Sequence, residues 1–140
     1  MIGTDCKLYY KASPLTATAD RTGWTELTII KDATTGDETE KVDETTRANA
    51  HRKAYGYGMR DTPLSFEIAY DEANAGFLVL RAAYYAQTFV AVASVAGAIA
   101  TADGVAGNWM IANFTRNEPI GDHMTVSVEL APHAFMADLT

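Results

Sequence analysis

Cysteine, proline and, beyond residue 60, positive charge are what this 140-residue chain has least of: one Cys, four Pro and, in residues 61–140, only Arg81 and Arg116 as bases. The lone Cys6 excludes an intramolecular disulfide and supplies no thiol pair for a zinc or redox motif. It reads as a small apolar residue near the start of a strand. Residues 1–60 balance nine acids with nine bases, whereas residues 61–140 set nine acids against those two arginines, so the net charge of −7 resides in the second half. No Lys/Arg cluster is denser than Arg52-Lys53, which argues against a protein that grips nucleic-acid phosphates, since that affinity comes from displacing counterions with cations. The longest apolar runs, residues 77–80 and 89–95, fall far short of the roughly 20 residues that cross a bilayer. Residues 1–11 show neither a basic leader nor a cleavage site, so the expectation is a soluble product made in the cytoplasm with no membrane partner. One domain spanning residues 1–140 fits the length, and a chain of this size buries roughly 70% of its unfolded surface.

Catalytic and metal chemistry is equally sparse. His51, His123 and His133 lie far apart, and none has another histidine three or four residues away as a helical zinc site requires. There is no GxSxG elbow, and Cys6 has only Lys7 beside it to depress its pKa. Gly56-Tyr57-Gly58 offers two glycines of a dinucleotide fingerprint, but Asp61 stands where the third belongs and no helix follows, so it reads as a tight turn. The acids Asp37, Glu38, Glu40, Asp43 and Glu44 lack the alternate spacing and central glycine of a calcium loop. The aromatics Tyr9, Tyr10, Trp24, Tyr55, Tyr57 and Trp109 are compatible with a sugar-stacking platform, although in a β-rich chain such rings fill cores and cross-strand pairs. The reading is a non-enzyme without metal or cofactor.

The pattern along the chain is mainly β. Residues 7–11 and 24–30 read as strands, the second ending in a turn at Thr34-Thr35-Gly36-Asp37 that leads into residues 38–42 as a hairpin. Residues 31–63 hold almost no large aliphatic side chain, and residues 31–53 alone carry eleven charges. Such a stretch is either disordered or a long charged loop with a task of its own. Leu64, Phe66, Ile68 and Tyr70 alternate with Ser65 and Glu67, giving a strand with one apolar face. Asp71 is placed to cap a helix over residues 72–86 with an apolar stripe of Ala73, Phe77, Leu80 and Tyr84. Within it, Gly76 marks close packing against a sheet. Strands follow over residues 88–95 and 109–117, joined by an Ala/Gly-rich connection at 96–107, and a last strand over 124–130 stops at Pro132. About seven strands and one helix amount to a β-sandwich or partial barrel with the helix packed across its opening.

The order of segments then becomes informative. A strand hairpin precedes a charged loop containing Val42-Asp43-Glu44-Thr45-Thr46-Arg47. Gly58-Met59-Arg60-Asp61-Thr62-Pro63-Leu64-Ser65-Phe66-Glu67 and Tyr70-Asp71 before a helix come next. Asn113-Phe114-Thr115-Arg116-Asn117-Glu118-Pro119-Ile120 and the closing strand complete the series. Together they resemble the major tail tube proteins of long-tailed (siphovirus-like) bacteriophages over most of residues 24–132. The resemblance implies a phage tail tube-like fold and a virion structural protein, made and assembled in the host bacterial cytoplasm. Its copies would form hexameric rings stacked into the hollow tail tube that delivers the genome. Its partners would be itself and other tail proteins (tape measure, tail terminator, distal tail proteins), and DNA would pass through without specific binding.

On that reading the segment Asp37, Glu38, Glu40, Lys41, Asp43, Glu44, Thr45, Thr46 and Arg47 is the candidate contact between subunits and rings, with Asp43 and Arg47 as ion-pair partners across copies. Glu26, Glu67 and Glu129 are the candidates to face the lumen, where acids would repel passing phosphates. Two alternatives stand beside it. One is the inner-tube subunit of a contractile tail, secretion or injection system. The other is a monomeric β-sandwich that binds carbohydrate. The stretch Thr16-Ala17-Thr18-Ala19 and the basic run 48–55 carry no function in any of these readings.

Overall fold

The computed structural model describes residues 7–16, 21–121 and 123–140. Cys6 and most of the Thr16–Ala19 stretch lie outside them. Seven antiparallel strands form one sheet in the order β2 (Thr25–Glu26), β1 (Lys7–Lys11), β7 (Phe89–Val95), β8 (Gly104–Asn117), β9 (Thr125–Leu139), β6 (Leu64–Ala69) and β3 (Ile30–Thr35). The two outermost strands, β2 and β3, are joined by residues 27–29 alone, and that short link forces the sheet to curl. The Leu27 amide donates to the Leu8 carbonyl at 2.8 Å, while the Ile29 carbonyl accepts from the Ala69 amide at 2.9 Å. Thr35 and Ser94, from opposite halves of the sheet, bring their hydroxyls to 3.0 Å. The expected partial barrel with one helix is therefore the architecture found, matching the alternation read from residues 64–70 and 124–130.

The period-2 pattern does the sorting. Leu64, Phe66 and Ile68 of β6 and Val126, Val128 and Leu130 of β9 are buried inside the curl, opposite one another in register. The helix α1 (Ala75–Ala86) plugs the opening with Gly76, Phe77, Leu80 and Ala83. Trp109 is fully buried and its indole N–H donates to the Val92 carbonyl at 3.0 Å, so the largest core side chain leaves no polar atom unmet. Each such large apolar side chain stabilises the fold by roughly 1.5–3 kcal/mol. Gly76 is where the helix presses closest: a Cβ there would sit 2.3 Å from Leu27 Cδ1 and 3.0 Å from Tyr10 Cε1. Close packing, not flexibility, is the reason for that glycine.

Four local expectations are corrected. The helix starts at Ala75, three residues late, because Tyr70 still donates its amide across the sheet to Met124 and Asp71 closes a turn onto the Ala73 amide. Asn74 is the cap, its Oδ1 accepting from Gly76 N at 2.9 Å and Phe77 N at 3.3 Å. The hairpin expected between residues 24–30 and 38–42 does not form, since β3 runs on through Thr34 and Thr35 to pair with Ser65 and Leu64 of β6. The final strand does not stop at Pro132 but continues to Leu139, with Pro132 opposite Trp109 beside a break in register, where a missing amide is tolerated. The 96–107 connection is shorter than expected, for β8 already begins at Gly104, whose missing side chain lets it lie against the Ser94 carbonyl.

Residues 31–63 are not a loop. Beyond β3 they form a separate two-stranded sheet of β4 (Glu38–Asp43) and β5 (Tyr55–Asp61), closed by a single turn of 3-10 helix at Arg47–Asn49. This arm leaves the barrel where the Gly36 amide donates to the Pro63 carbonyl at 2.8 Å.

Replacing Asn74 by Ala should lower the stability of the fold by about 1 kcal/mol in urea unfolding. An unchanged midpoint would show that the cap is not where the helix gains its first amide partners.

Candidate assembly surfaces

Every residue of β4 is exposed, and β5 fares little better. Gly56-Tyr57-Gly58, expected to be a tight turn, lies instead inside the strand β5, whose two faces differ. Tyr55, Tyr57 and Met59 point one way and are 54%, 94% and 79% exposed, forming an apolar ridge. Lys41 and Asp43 lie opposite Tyr57 and Tyr55 on that face, and Lys41 Nζ stands 5.6 Å from the centre of the Tyr55 ring. The other face is bare because it is glycine. A Cβ on Gly56 would lie 2.2 Å from Glu44 Oε1, and one on Gly58 would lie 2.8 Å from Glu40 Cβ, so these two glutamates spread across the strand.

Two devices hold the arm together. At its far end Asp43 accepts from the Thr45 amide at 2.9 Å, the Thr45 hydroxyl accepts from the Ala54 amide at 3.0 Å, and the Ala54 carbonyl accepts from the Glu44 amide at 2.9 Å. The hydrogen bonds from Thr45 hold the Asp43 carboxyl below its usual pKa. Thr46 precedes the 3-10 turn without a side-chain cap, and Arg47 makes no ion pair among the described residues. Within one subunit, then, Asp43 is engaged by Thr45 and not by Arg47. The tip also carries strain, with Ala50 and His51 both at positive φ (50° and 68°). Each costs of order 1 kcal/mol for a residue with a side chain.

At its root, Arg60 grips Asp37 in a two-pronged pair, Nη2 to Oδ2 at 2.5 Å and Nε to Oδ1 at 3.1 Å, and reaches Asp138 Oδ2 at 3.0 Å with Nη1. Asp138 belongs to the end of β9, so this guanidinium fastens the arm to the barrel. Sequence reasoning chose Asp37 but passed over Arg60, whose signal was only a cation beside the Pro63 that re-enters the barrel. The Arg60 hydrogen bonds hold the Asp37 carboxyl below its ordinary value, and the two carboxylates push the guanidinium upward.

The second set of residues lies on the barrel. Cross-strand partners project to the same face, so the pairs Asp32↔Glu67, Ser65↔Glu129 and Asn113↔Glu129 place Asp32, Glu67 and Glu129 together on the side away from the helix. Hydroxyl and amide groups surround them: Thr115 donates to Asn113, and Asn117 donates to the Ser127 hydroxyl at 3.0 Å. Glu26 shares that side of the sheet four strands away, opposite Tyr9, and lies 3.9 Å from Lys7 Nζ, so its charge is offset. Asp32, which sequence reasoning assigned to the charged loop, is the member of the acidic face that it missed.

A third feature was not anticipated. At the end of the barrel opposite the arm root, Tyr70, Phe77, Arg81, Tyr85, Phe114 and Arg116 enclose a cleft of about 480 Å³ between α1 and β8. Phe77 meets Tyr70 edge-on at 5.1 Å between ring centres, and Phe114 stacks on Tyr84 at 5.7 Å. Arg116 pairs with Glu118 at 2.5 Å and Arg81 reaches Glu72 at 4.0 Å. Glu72 also accepts from the Tyr70 hydroxyl, which raises the pKa of that phenol. Among the described residues no three His, Cys, Asp or Glu side chains gather as a metal-ligand set, and no helix is long and apolar enough to cross a membrane.

No sequence family and no curated protein matches this chain. Solved structures do. A chain from the tail of an empty gene transfer agent particle, determined with C6 symmetry, superposes over 100% of this chain and 99% of its own, with a TM-score of 0.77 at 14% identity. The fold is that of a phage tail tube protein. The SPP1 tail tube subunit covers 94% of this chain and 74% of its own with a TM-score of 0.65 at 13% identity. A chain of the anti-feeding prophage baseplate covers 96% and 90% with a TM-score of 0.57 at 10% identity. The tail tube fold thus survives with little sequence in common, which fits a shape set by alternation and strand order rather than by particular side chains.

Arg60→Ala should free the arm from the barrel, seen as faster proteolytic cutting within residues 37–62 while the barrel stays intact. Acid should do the same. Because Asp37 has a depressed pKa when folded, its contribution is full above the ordinary Asp value near 3.9 and is lost as pH falls through the lower folded value. Cutting that is as slow in the variant as in the unaltered protein would contradict the clamp.

Proposed function

We propose that this chain is the structural subunit of a tail tube, in which copies assemble into hexameric rings that stack around a channel for DNA. The observation that carries the reading is the unpartnered arm. A two-stranded hairpin is marginal in water on its own, yet this one displays Tyr55, Tyr57 and Met59 to solvent while its polar edges are open. Surfaces of that kind are normally covered, and in a tube they would be covered by the neighbouring copies. The C6 symmetry of the gene transfer agent tail supports six copies per ring. Within the assembly Asp37, Glu38, Glu40, Lys41, Asp43, Glu44, Thr45, Thr46 and Arg47 form the contact between subunits or rings, and Arg47, which makes no ion pair among the described residues, meets an acid of another copy.

The acidic side of the sheet gives the lumen its character. Asp32 and Glu67 stand directly opposite each other on adjacent strands, an arrangement of like charges that weakens a sheet by several tenths of a kcal/mol. The fold has no use for it, whereas a wall that must not hold DNA does, because phosphates are repelled by fixed negative charge and retained by cations. Glu129 adds to this wall and Glu26, paired with Lys7, adds less. The protein works as a passive conduit, not as an enzyme, in the virion tail, beside other tail proteins.

Deleting residues 38–61 and joining Asp37 to Thr62 by a short turn should give a folded monomer that no longer assembles, since the Gly36 to Pro63 hydrogen bond already brings the ends together. The cut spares Thr34 and Thr35, which pair within the barrel. In negative-stain images the intact protein at high concentration should show rings or tubes and the deletion variant none. An intact protein that stays monomeric and retains sugar would favour the carbohydrate-binding alternative.

A further inference from the structure

We propose that the aromatic, two-arginine cleft at the far end of the barrel is the receptor for the arm of another copy of this chain, so that subunits join head to tail. The inference rests on the tube reading above and names the surface that the arm meets. Three observations lead to it.

The first is placement. The arm departs at Gly36 and Pro63, beside Leu64, the first residue of β6. The cleft is built at the other end of the same strand, around Tyr70 just after Ala69 and around Arg116 and Val126, which are paired there on β8 and β9. Five residue steps of roughly 3.3 Å, about 17 Å of strand, separate the two. Arg60 also fastens the arm root to Asp138, at the end of β9 distant from Thr125. An arm held so cannot fill the cleft of its own subunit. Unlike surfaces at opposite ends of one molecule join copies in an open series or a ring.

The second is charge. Arg81 and Arg116 are the only basic residues among positions 61–140, and the fold brings both to one cleft. Each already touches one glutamate, yet a guanidinium has five N–H donors in a planar fork, so both retain donors for an incoming carboxylate. The strand β4 presents Glu38, Glu40 and Asp43 against the single Lys41, with Glu44 next to it, and all are exposed. The acidic edge of the arm and the arginine walls of the cleft are complementary.

The third is surface chemistry. The cleft is floored by the rings of Phe77 and Phe114 and rimmed by Tyr70 and Tyr85, the latter well exposed. The arm supplies a matching set of Tyr57 and Met59, the two most exposed large side chains of its ridge. Arg81 already lies 5.4 Å from the Phe77 ring centre and Arg116 5.9 Å from that of Tyr70, and ring-on-ring and sulfur-on-ring contacts become available when the arm enters.

The test uses the full-length chain with Cys6→Ser, so that introduced thiols are the only ones. Tyr57→Cys and Tyr85→Cys are combined in one chain, and the assembled protein is oxidised. A ladder of disulfide-linked copies is expected, absent from dilute monomer and from either single variant; no ladder from protein that visibly assembles would overturn the proposal. Arg81→Glu with Arg116→Glu should abolish assembly while the far-ultraviolet spectrum keeps its β signature. If that variant still forms tubes and the arm deletion does not, the arm reading stands and the cleft is not its receptor. If the arm deletion itself forms tubes, both readings fall.

Discussion

The core fills one curled sheet, and none of the apolar side chains of the arm reaches it. That constraint decides the rest. Phe77, Leu80, Trp109 and the inward rows of β6 and β9 make a core to which no residue of the arm belongs. Glu38 to Asp61 are then committed to a two-stranded sheet with water on both sides. A structure of this kind spends conformational entropy on ordering the arm and recovers little within the subunit. On the proposed reading the compensation comes from a neighbouring copy, with the arm as a contact and the acidic side of the sheet as the wall of a channel.

The two sides of the sheet divide that labour. Inside the curl, alternation places aliphatic residues; outside, the same alternation places Asp32, Ser65, Glu67, Ser127 and Glu129. The like-charged Asp32 and Glu67 pair costs the barrel some stability, and the register of β3 on β6 shifts just before it, between Ile30 and Asp32. The clamp of Arg60 on Asp37 and Asp138 is also exposed, so it contributes orientation more than stability. What it supplies is a fixed direction for the arm, which the proposed addition of identical subunits would require.

Much of this was legible in the sequence because it is periodic. The inward and outward rows of residues 64–70 and 124–130, the helix with Phe77 and Leu80 and the reason for Gly76 follow from spacing alone. The arm was hidden for the opposite reason. Its strands obtain no core, so β4 lacks the apolar alternation by which strands are recognised, and in β5 the glycines between Tyr55, Tyr57 and Met59 imitate a turn. Capping was misplaced because Asp71 and Asn74 are both suitable residues, and only the sheet's hold on Tyr70 decides between them. The cleft was invisible for a third reason: Arg81 and Arg116 are 35 positions apart, and only the packing of α1 beside β8 unites them.

The central claim is that the arm gains its order from a neighbouring copy, and amide hydrogen exchange measures that directly. In dilute monomer, amides of β4 and β5 should exchange orders of magnitude faster than those of β8 and β9, and they should become protected when the protein is concentrated into assemblies while the barrel amides change little. Arm amides that are as protected as the barrel in dilute monomer, or that stay unprotected within assembled tubes, would contradict the account.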